Sequence, residues 1–492
     1  MTSKSHLTSS SSSSVKLDTF SYTPLDPPSE SDLEQGKQEH RVGDETTEED
    51  DDGGVEEELI WNQHSEQQRG RKRGTWWIRQ VALFSVGALV GAGLLSLGNW
   101  AFNGKDDRIS QSSSSSSSRA SPNPESDFDF ATNPPVRIHY REEPNLNSRA
   151  PLLSASKCPV PVLYETNQDS ADIVVFNSDS AKGLGEDEMR EWRNQKPWQK
   201  LVIWGVESAP NRDNLEKHFD KLREGKRNET YDYEMTYRLN STVPTTYSYG
   251  YFNYANPPVP YSEKRQNKVA ASFISNCRPK NARTLILDEL TKLLPDKIDN
   301  FGRCHNNANA DETLKEMGKW EDVGTHNKWN TKITMINYYK FSVAFENSND
   351  YDYVTEKYFQ ALERGSVPLV FGAPSYRSRF FPSPNAAIDV ADYLPLNYTL
   401  ESRSDDKEPE ELSEEAQAGL RKLADRLTYL SSEEGKEEYE SMLSWKENDN
   451  WKLDPVNPLG KIVKLSTSEW DQDCNLAKVF RRGNGEIENI ER

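Results

Sequence analysis

Cysteine is scarce in this chain. Cys158, Cys277, Cys304 and Cys474 are the only four in 492 residues, and none stands in C-x-x-C spacing. That argues against a zinc ribbon or a thioredoxin-type site. The seven histidines form no cluster, and neither a Walker loop nor a G-x-S-x-G element occurs. Positive charge is also short. The net charge is −20 and no folded stretch is basic throughout, which argues against a nucleic-acid binder. Apolar residues make up only 34%. That shortfall falls mainly on the first 150 residues, which should not be forced into a core.

Charge itself is missing from one place: no Asp, Glu, Lys or Arg lies among the 25 residues between Arg79 and Lys105. Such a gap spans a hydrocarbon layer of about 30 Å as a helix. Trp76, Trp77 and Trp100 sit at its ends, and Arg71-Lys72-Arg73 flanks its N-terminal side. The positive-inside rule then predicts a single-pass type II protein whose remaining chain is luminal or outside. Gly87 and Gly91 have the spacing that lets helices pack closely, so this helix face, or the stem, is a possible homodimer contact. The expected order is a disordered cytoplasmic tail (1–79), a signal-anchor helix (80–103) and a flexible luminal stem (104–157). After these come a first lobe (158–266), a second lobe with C-terminal helices (267–480) and a disordered end (481–492).

The folded part reads as α/β. Strands are expected at Ala171–Phe176, Leu201–Trp204, Lys268–Ser275, Ile298–Phe301, Lys340–Phe345, Val367–Phe371 and Ala387–Val390. Helices are expected at Glu186–Lys196, Asn281–Leu294, Tyr353–Arg364 and Leu412–Leu430. The last has Leu412, Ala416, Leu420, Leu423, Leu427 and Leu430 on one face, turned to its own domain. Strand, helix and strand from Lys340 to Phe371 form a βαβ unit and imply a parallel sheet. Polar residues collect between its first strand and its helix, where such sheets bind ligands. An even number of cysteines on a non-cytosolic side favours two disulfides over buried free thiols, with three pairings open. Cys277 and Cys304 flank one α/β segment and Cys158 and Cys474 bracket the folded region, which makes those two pairs the hypothesis. Sequons stand at Asn228, Asn240 and Asn397, all on the expected luminal side.

Three runs carry a family resemblance: Phe345-Glu-Asn-Ser348, Asp352-Tyr-Val-Thr-Glu-Lys357 and Gly365-Ser-Val-Pro368. Together they resemble the signature of the α1,3-fucosyltransferases, and most of all the plant-type members that modify N-glycan cores. Glu207-Ser208, Thr236-Tyr237-Arg238, Ser275-Asn276, Arg283 and Gly302-Arg-Cys304-His305 extend the match over roughly Ala171 to Val390. The resemblance implies a GT-B fold, two Rossmann-type lobes facing a cleft, and GDP-fucose as donor. It also implies inverting transfer of L-fucose to an N-acetylglucosamine hydroxyl in α1,3 linkage.

A diphosphate needs cations and N–H groups. Lys357 and Arg283 each fall in the first turn of a helix that follows a strand, where unpaired N–H groups and the helix dipole favour an anion. The resemblance gives both the role of stabilising the leaving GDP. Ser275, Asn276, Glu346, Asn347, Ser348, Tyr353, Val354 and Glu356 complete the expected donor site. Glu346, Asn347 and Ser348 would hydrogen-bond ribose, base or sugar, Glu356 would bind a fucose hydroxyl or orient Lys357, and Tyr353 would pack on the nucleotide. A single displacement needs one general base, and the resemblance places it at Glu207. Here the loop reads ESAP, with Ala209 set before Pro210. Asp127-Phe-Asp129, Asp350-Tyr-Asp352 and Asp471-Gln-Asp473 match the Asp-x-Asp pattern of metal-dependent transferases. The first lies in the stem and the third near the far end. At the second, inside the donor motif, the resemblance implies no catalytic metal ligand, so no essential metal or other cofactor is expected in the donor site. The expected partners are GDP-fucose, a glycoprotein or glycan acceptor and the Golgi membrane. A Lewis-type transferase acting on outer N-acetyllactosamine, an inactive glycan-binding relative and a membrane adaptor are the alternatives.

Overall fold

The computed structural model describes residues 127–483, apart from 181–182, 249–251, 400–410, 448–449, 455 and 467–471. The expected tail, the signal-anchor helix with Gly87 and Gly91, the stem up to residue 126 and residues 484–492 lie outside the described residues. Among the described residues no helix is long and apolar enough to cross a membrane.

Among the described residues, ten strands form two five-stranded sheets, every neighbouring pair parallel. The first sheet contains β1 (Val136–Tyr140), β2 (Val162–Tyr164), β3 (Ile173–Asn177), β4 (Lys200–Gly205) and β5 (Tyr233–Thr236), in the order β2-β1-β3-β4-β5. The second contains β6 (Ala270–Ser272), β7 (Ile298–Asn300), β8 (Phe341–Phe345), β9 (Val367–Phe371) and β10 (Ile388–Asp389), in the order β10-β9-β8-β6-β7. Counted within each lobe, both are 2-1-3-4-5, a doubly wound order that reverses between its first and third strands.

The strands are apolar on both faces because helices cover both faces. In β3, Ile173 and Val175 belong to one cluster and Val174 and Phe176 to another, as the two-residue period requires. One of these clusters runs through both lobes: Val174, Phe176, Leu201 and Ile203 pack in it with Ala344, Tyr358, Phe359 and Val370. The helix Glu414–Leu430 turns Ala416, Leu420, Leu423, Leu427 and Leu430 onto the second lobe, as its spacing predicts.

Several boundaries differ from the sequence expectation; the strand expected at Lys268–Ser275, for one, is only Ala270–Ser272. β1 lies inside the segment read as stem, yet it pairs with both β2 and β3. Its five residues VRIHY carry two polar side chains and follow Pro134-Pro135, so composition hides it. The helix Gln472–Arg482 was grouped with the second lobe, but its Leu476, Ala477 and Val479 pack on Ile138, Ile173 and Val175 of the first. It also continues through Arg481 and Arg482 into the expected disordered end. The helix read as Tyr353–Arg364 starts only at Glu356 and stops at Gly365, whose φ of 66° suits glycine. The disulfides are Cys158–Cys474 and Cys277–Cys304. Asn228, Asn240 and Asn397 are all exposed.

Candidate active site

In the second lobe the strand order reverses between β6 and β8. The loop after β6 carries Ser275 and Asn276, and the loop after β8 carries Glu346, Asn347 and Ser348. Arg283, first residue of the helix Arg283–Leu293, ties the two together. Its guanidinium donates to Phe345 O at 3.2 Å and Asn276 O at 2.6 Å, and the residue is only 2% exposed. Ser275 O and Oγ accept from Arg303 at 3.3 and 3.5 Å, which anchors this loop to the segment after β7.

Glu346 is fully buried at the N-terminal end of the helix Glu356–Arg364. Its carboxylate accepts from Thr355 N at 2.8 Å, Thr355 Oγ1 at 2.9 Å and Tyr376 OH at 3.0 Å. Lys357 Nζ lies 3.4 Å from the same carboxylate, donates to Thr355 Oγ1 at 2.9 Å and sits 3.8 Å from Glu356. Glu356 also pairs with Lys332 at 3.4 Å. Two lysines and two glutamates thus form one chain of charges. Burial raises Glu346 above the ordinary carboxylate range, with Lys357 only partly opposing it. Burial acts the same way on Glu356, but Lys357 and Lys332 outweigh it and bring Glu356 down to about 2. Gly372 permits this crowding, since a Cβ there would come within 2.8 Å of Glu346 Cβ and Ser348 O.

The first lobe supplies the loop after β4. Glu207 is 6% exposed, and one carboxylate oxygen accepts from Ser208 N at 2.8 Å, Asn211 Nδ2 at 3.0 Å, Ser208 Oγ at 3.1 Å and Asn347 Nδ2 at 3.4 Å. The Tyr353 hydroxyl bonds to the same carboxylate. Burial raises its pKa, yet Asn211, the Arg212 charge, Ser208 and Tyr353 together leave it below the ordinary value. Glu207 is therefore an ionised carboxylate held by donors, and it touches the donor segment about 140 residues away in sequence.

The structure thus brings together Glu207, Asn347, Ser348 and Tyr353, and beside them Glu346, Glu356 and Lys357. Tyr353 and Val354 lie just before Thr355 and the helix that Glu356 begins. Both are almost fully buried in the cluster shared by the lobes, the Tyr353 ring 5.2 Å from Tyr237 and 6.4 Å from Tyr247. Tyr353 therefore packs on the first lobe beside the loop that carries Glu207. Lys332 and Asn211 were missed. Neither has a sequence signal, because each reaches the site only through packing of its helix or loop. Among the described residues no three His, Cys, Asp or Glu side chains gather as a metal site.

Residues 263–401 match the family described as glycosyltransferase family 10 (fucosyltransferase), C-terminal part. A fucosyltransferase-like protein of Arabidopsis thaliana is 36% identical over 217 residues, 43% of this chain and 34% of that protein. An α-(1,3)-fucosyltransferase of Caenorhabditis elegans is 29% identical over 245 residues, 48% of this chain and 55% of its own length. An α-(1,4)-fucosyltransferase of Arabidopsis thaliana is 34% identical over 171 residues, 33% of this chain and 40% of its own. The chain thus spans between about a third and about half the length of these relatives.

Proposed function

From a chain that carries a glycosyltransferase family 10 fucosyltransferase domain over residues 263–401, we propose an inverting fucosyltransferase that uses GDP-fucose. The observation that carries this is the contact between Glu207 and Asn347. It sets one ionised carboxylate of the first lobe against the loop that holds Glu346 and, through Thr355, Lys357. Glu207 removes the proton from the acceptor hydroxyl, whose oxygen attacks C1 of fucose as the bond to the GDP oxygen breaks. Lys357 and the N–H groups at the start of its helix receive the charge that builds on the diphosphate. Arg283 holds the two sides of that crevice together, and no metal is needed in the donor site.

The acceptor is the innermost N-acetylglucosamine of an N-glycan, fucosylated at O3. A relative named as an α-(1,4)-fucosyltransferase makes O4 of N-acetylglucosamine, on an outer Lewis-type antenna, the second reading. The enzyme sits in the Golgi membrane with its catalytic lobes luminal, a reading supported by the uncharged segment between Arg79 and Lys105 and the basic cluster before it. The test is transfer by the purified full-length chain from GDP-fucose to a panel of core and antennary N-glycans, with and without EDTA. Core products with fucose on O3 are expected, and EDTA should leave the rate unchanged. Absence of transfer to every acceptor would sink the enzyme reading.

A further inference from the structure

Asp350 belongs to one of the three Asp-x-Asp matches, and donor chemistry leaves it without a task. The structure gives it one. Oδ2 of Asp350 accepts from Ala209 N at 3.1 Å and from the Tyr237 hydroxyl; Oδ1 accepts from Arg238 at 2.8 Å and from Tyr351 N at 2.7 Å. Both oxygens are engaged by protein donors, and three of the four come from the first lobe. Arg238 is itself fixed, its guanidinium 3.7 Å above the Phe219 ring.

The same pattern extends along the loop that carries Glu207. Each of its four residues bonds to the second lobe: Glu207 with Asn347 at 3.4 Å and with the Tyr353 hydroxyl, Ser208 with Ser348 at 2.6 Å, Ala209 with Asp350, and Pro210 O with Lys280 Nζ at 2.5 Å. Ala209, the residue that sets Pro210 back in this loop, is the one whose N–H Asp350 takes. Asp352 repeats the contact one step further along, accepting from Leu239 N at 3.0 Å and Arg379 at 2.6 Å, with its backbone in the left-handed region at φ 66°. A non-glycine residue keeps that conformation only where its surroundings enforce it.

We propose that Asp350 is a positioning residue: it clasps the 207–210 loop of the first lobe to the donor segment of the second and so sets the Glu207 carboxylate for proton removal. This rests on the fucosyl-transfer reading. Tyr353 N donates to Asp350 O at 3.3 Å, a backbone bond that a side-chain change keeps. Beyond that bond, the Asp350 carboxylate touches neither Glu207 nor the expected donor groups, so its loss should leave donor binding alone and act on the chemical step. Released from the clasp, the loop would also lose the Asn347 and Tyr353 donors that hold Glu207 ionised.

The test compares the full-length wild type with Asp350→Asn and with Tyr237→Phe, which removes the hydroxyl that donates to Asp350 and accepts from Ala209 N at 2.8 Å but keeps the carboxylate. The expected result for Asp350→Asn is a kcat loss of about tenfold or more, since small misplacements of a reacting group cost about that much or more. The dissociation constant of GDP-fucose should stay within about twofold, and the acid limb of kcat should move to higher pH as Glu207 loses donors. Tyr237→Phe should shift both in the same direction by less. Should Asp350→Asn not fold, Tyr237→Phe decides the matter alone. Wild-type kcat in the variants that fold, or equal losses in donor affinity and kcat, or an unmoved acid limb, would overturn the proposal. A wild type unable to transfer fucose overturns the functional reading as well, so the two failures are told apart.

Discussion

The two sheets share one strand order and put opposite chemistry at the same place. In the first lobe the order reverses between β1 and β3, and the crevice there is filled from within. Glu143 accepts from Asn177 Nδ2 at 3.0 Å and Glu142 from Asn177 N at 3.4 Å. In the second lobe the equivalent crevice, between β6 and β8, is bridged by Arg283 and flanked by Lys357 and Lys332. Topology therefore offers a ligand position twice, and charge makes only one of them suitable for a diphosphate. The first lobe serves the site through the loop after β4, outside its own reversal point. A fold alone would assign the site to either crevice; the side chains choose.

Removing the one acid of the first lobe that faces the site should do most to break this comparison. Glu207→Gln should lower kcat by about 10²–10⁴, the range for a lost general base, with GDP-fucose affinity unchanged in equilibrium titration. An unchanged kcat would take Glu207 out of the mechanism. Lys357→Met should lower kcat by about 10²–10³, the range for one lost stabiliser of developing charge, and should weaken GDP binding as well. If only KM changes, Lys357 is a binding group alone.

The acids of the second lobe differ in a way that pH can sharpen. Glu356 falls to about 2 in the folded chain from an ordinary 4.5. Its stabilisation, about 3 kcal/mol at most, is fully present above pH 4.5 and is lost as pH falls toward 2. Melting temperatures between pH 6 and 3 should therefore fall more steeply for the wild type than for Glu356→Gln. Equal slopes would mean that Glu356 titrates normally. The smallest effect is expected in the crevice of the first lobe. Glu142→Gln with Glu143→Gln should leave GDP-fucose affinity and kcat within about twofold, and a larger change would bring that crevice into the reaction.

Much of the second lobe was legible from sequence. Strands buried in a parallel sheet are continuous apolar runs, so Phe341–Phe345 and Val367–Phe371 stood out, and Gly365 marked the helix end between them. β1 did not stand out, because five residues with Arg137 and His139 among them look like the polar segment around them. At the site, residue types were legible but partners were not. The hydroxyl of Tyr353 bonds to a glutamate of the other lobe, and Lys332 reaches Glu356 from a neighbouring helix. Such contacts depend on how lobes and helices pack, and no spacing in the chain encodes that.

The bond between Cys158 and Cys474 joins residues 316 positions apart. The chain leaves the first lobe, builds the second and returns to the first as the helix Gln472–Arg482. This makes the folded region a covalent ring, joined across the lobes at two places. A single strand between lobes would permit twisting as well as opening; two attachments favour rotation about the line that joins them. The ring also tolerates a cut. A protease nick at an exposed turn within it would leave one molecule of unchanged mass plus water, and two fragments would separate only after reduction.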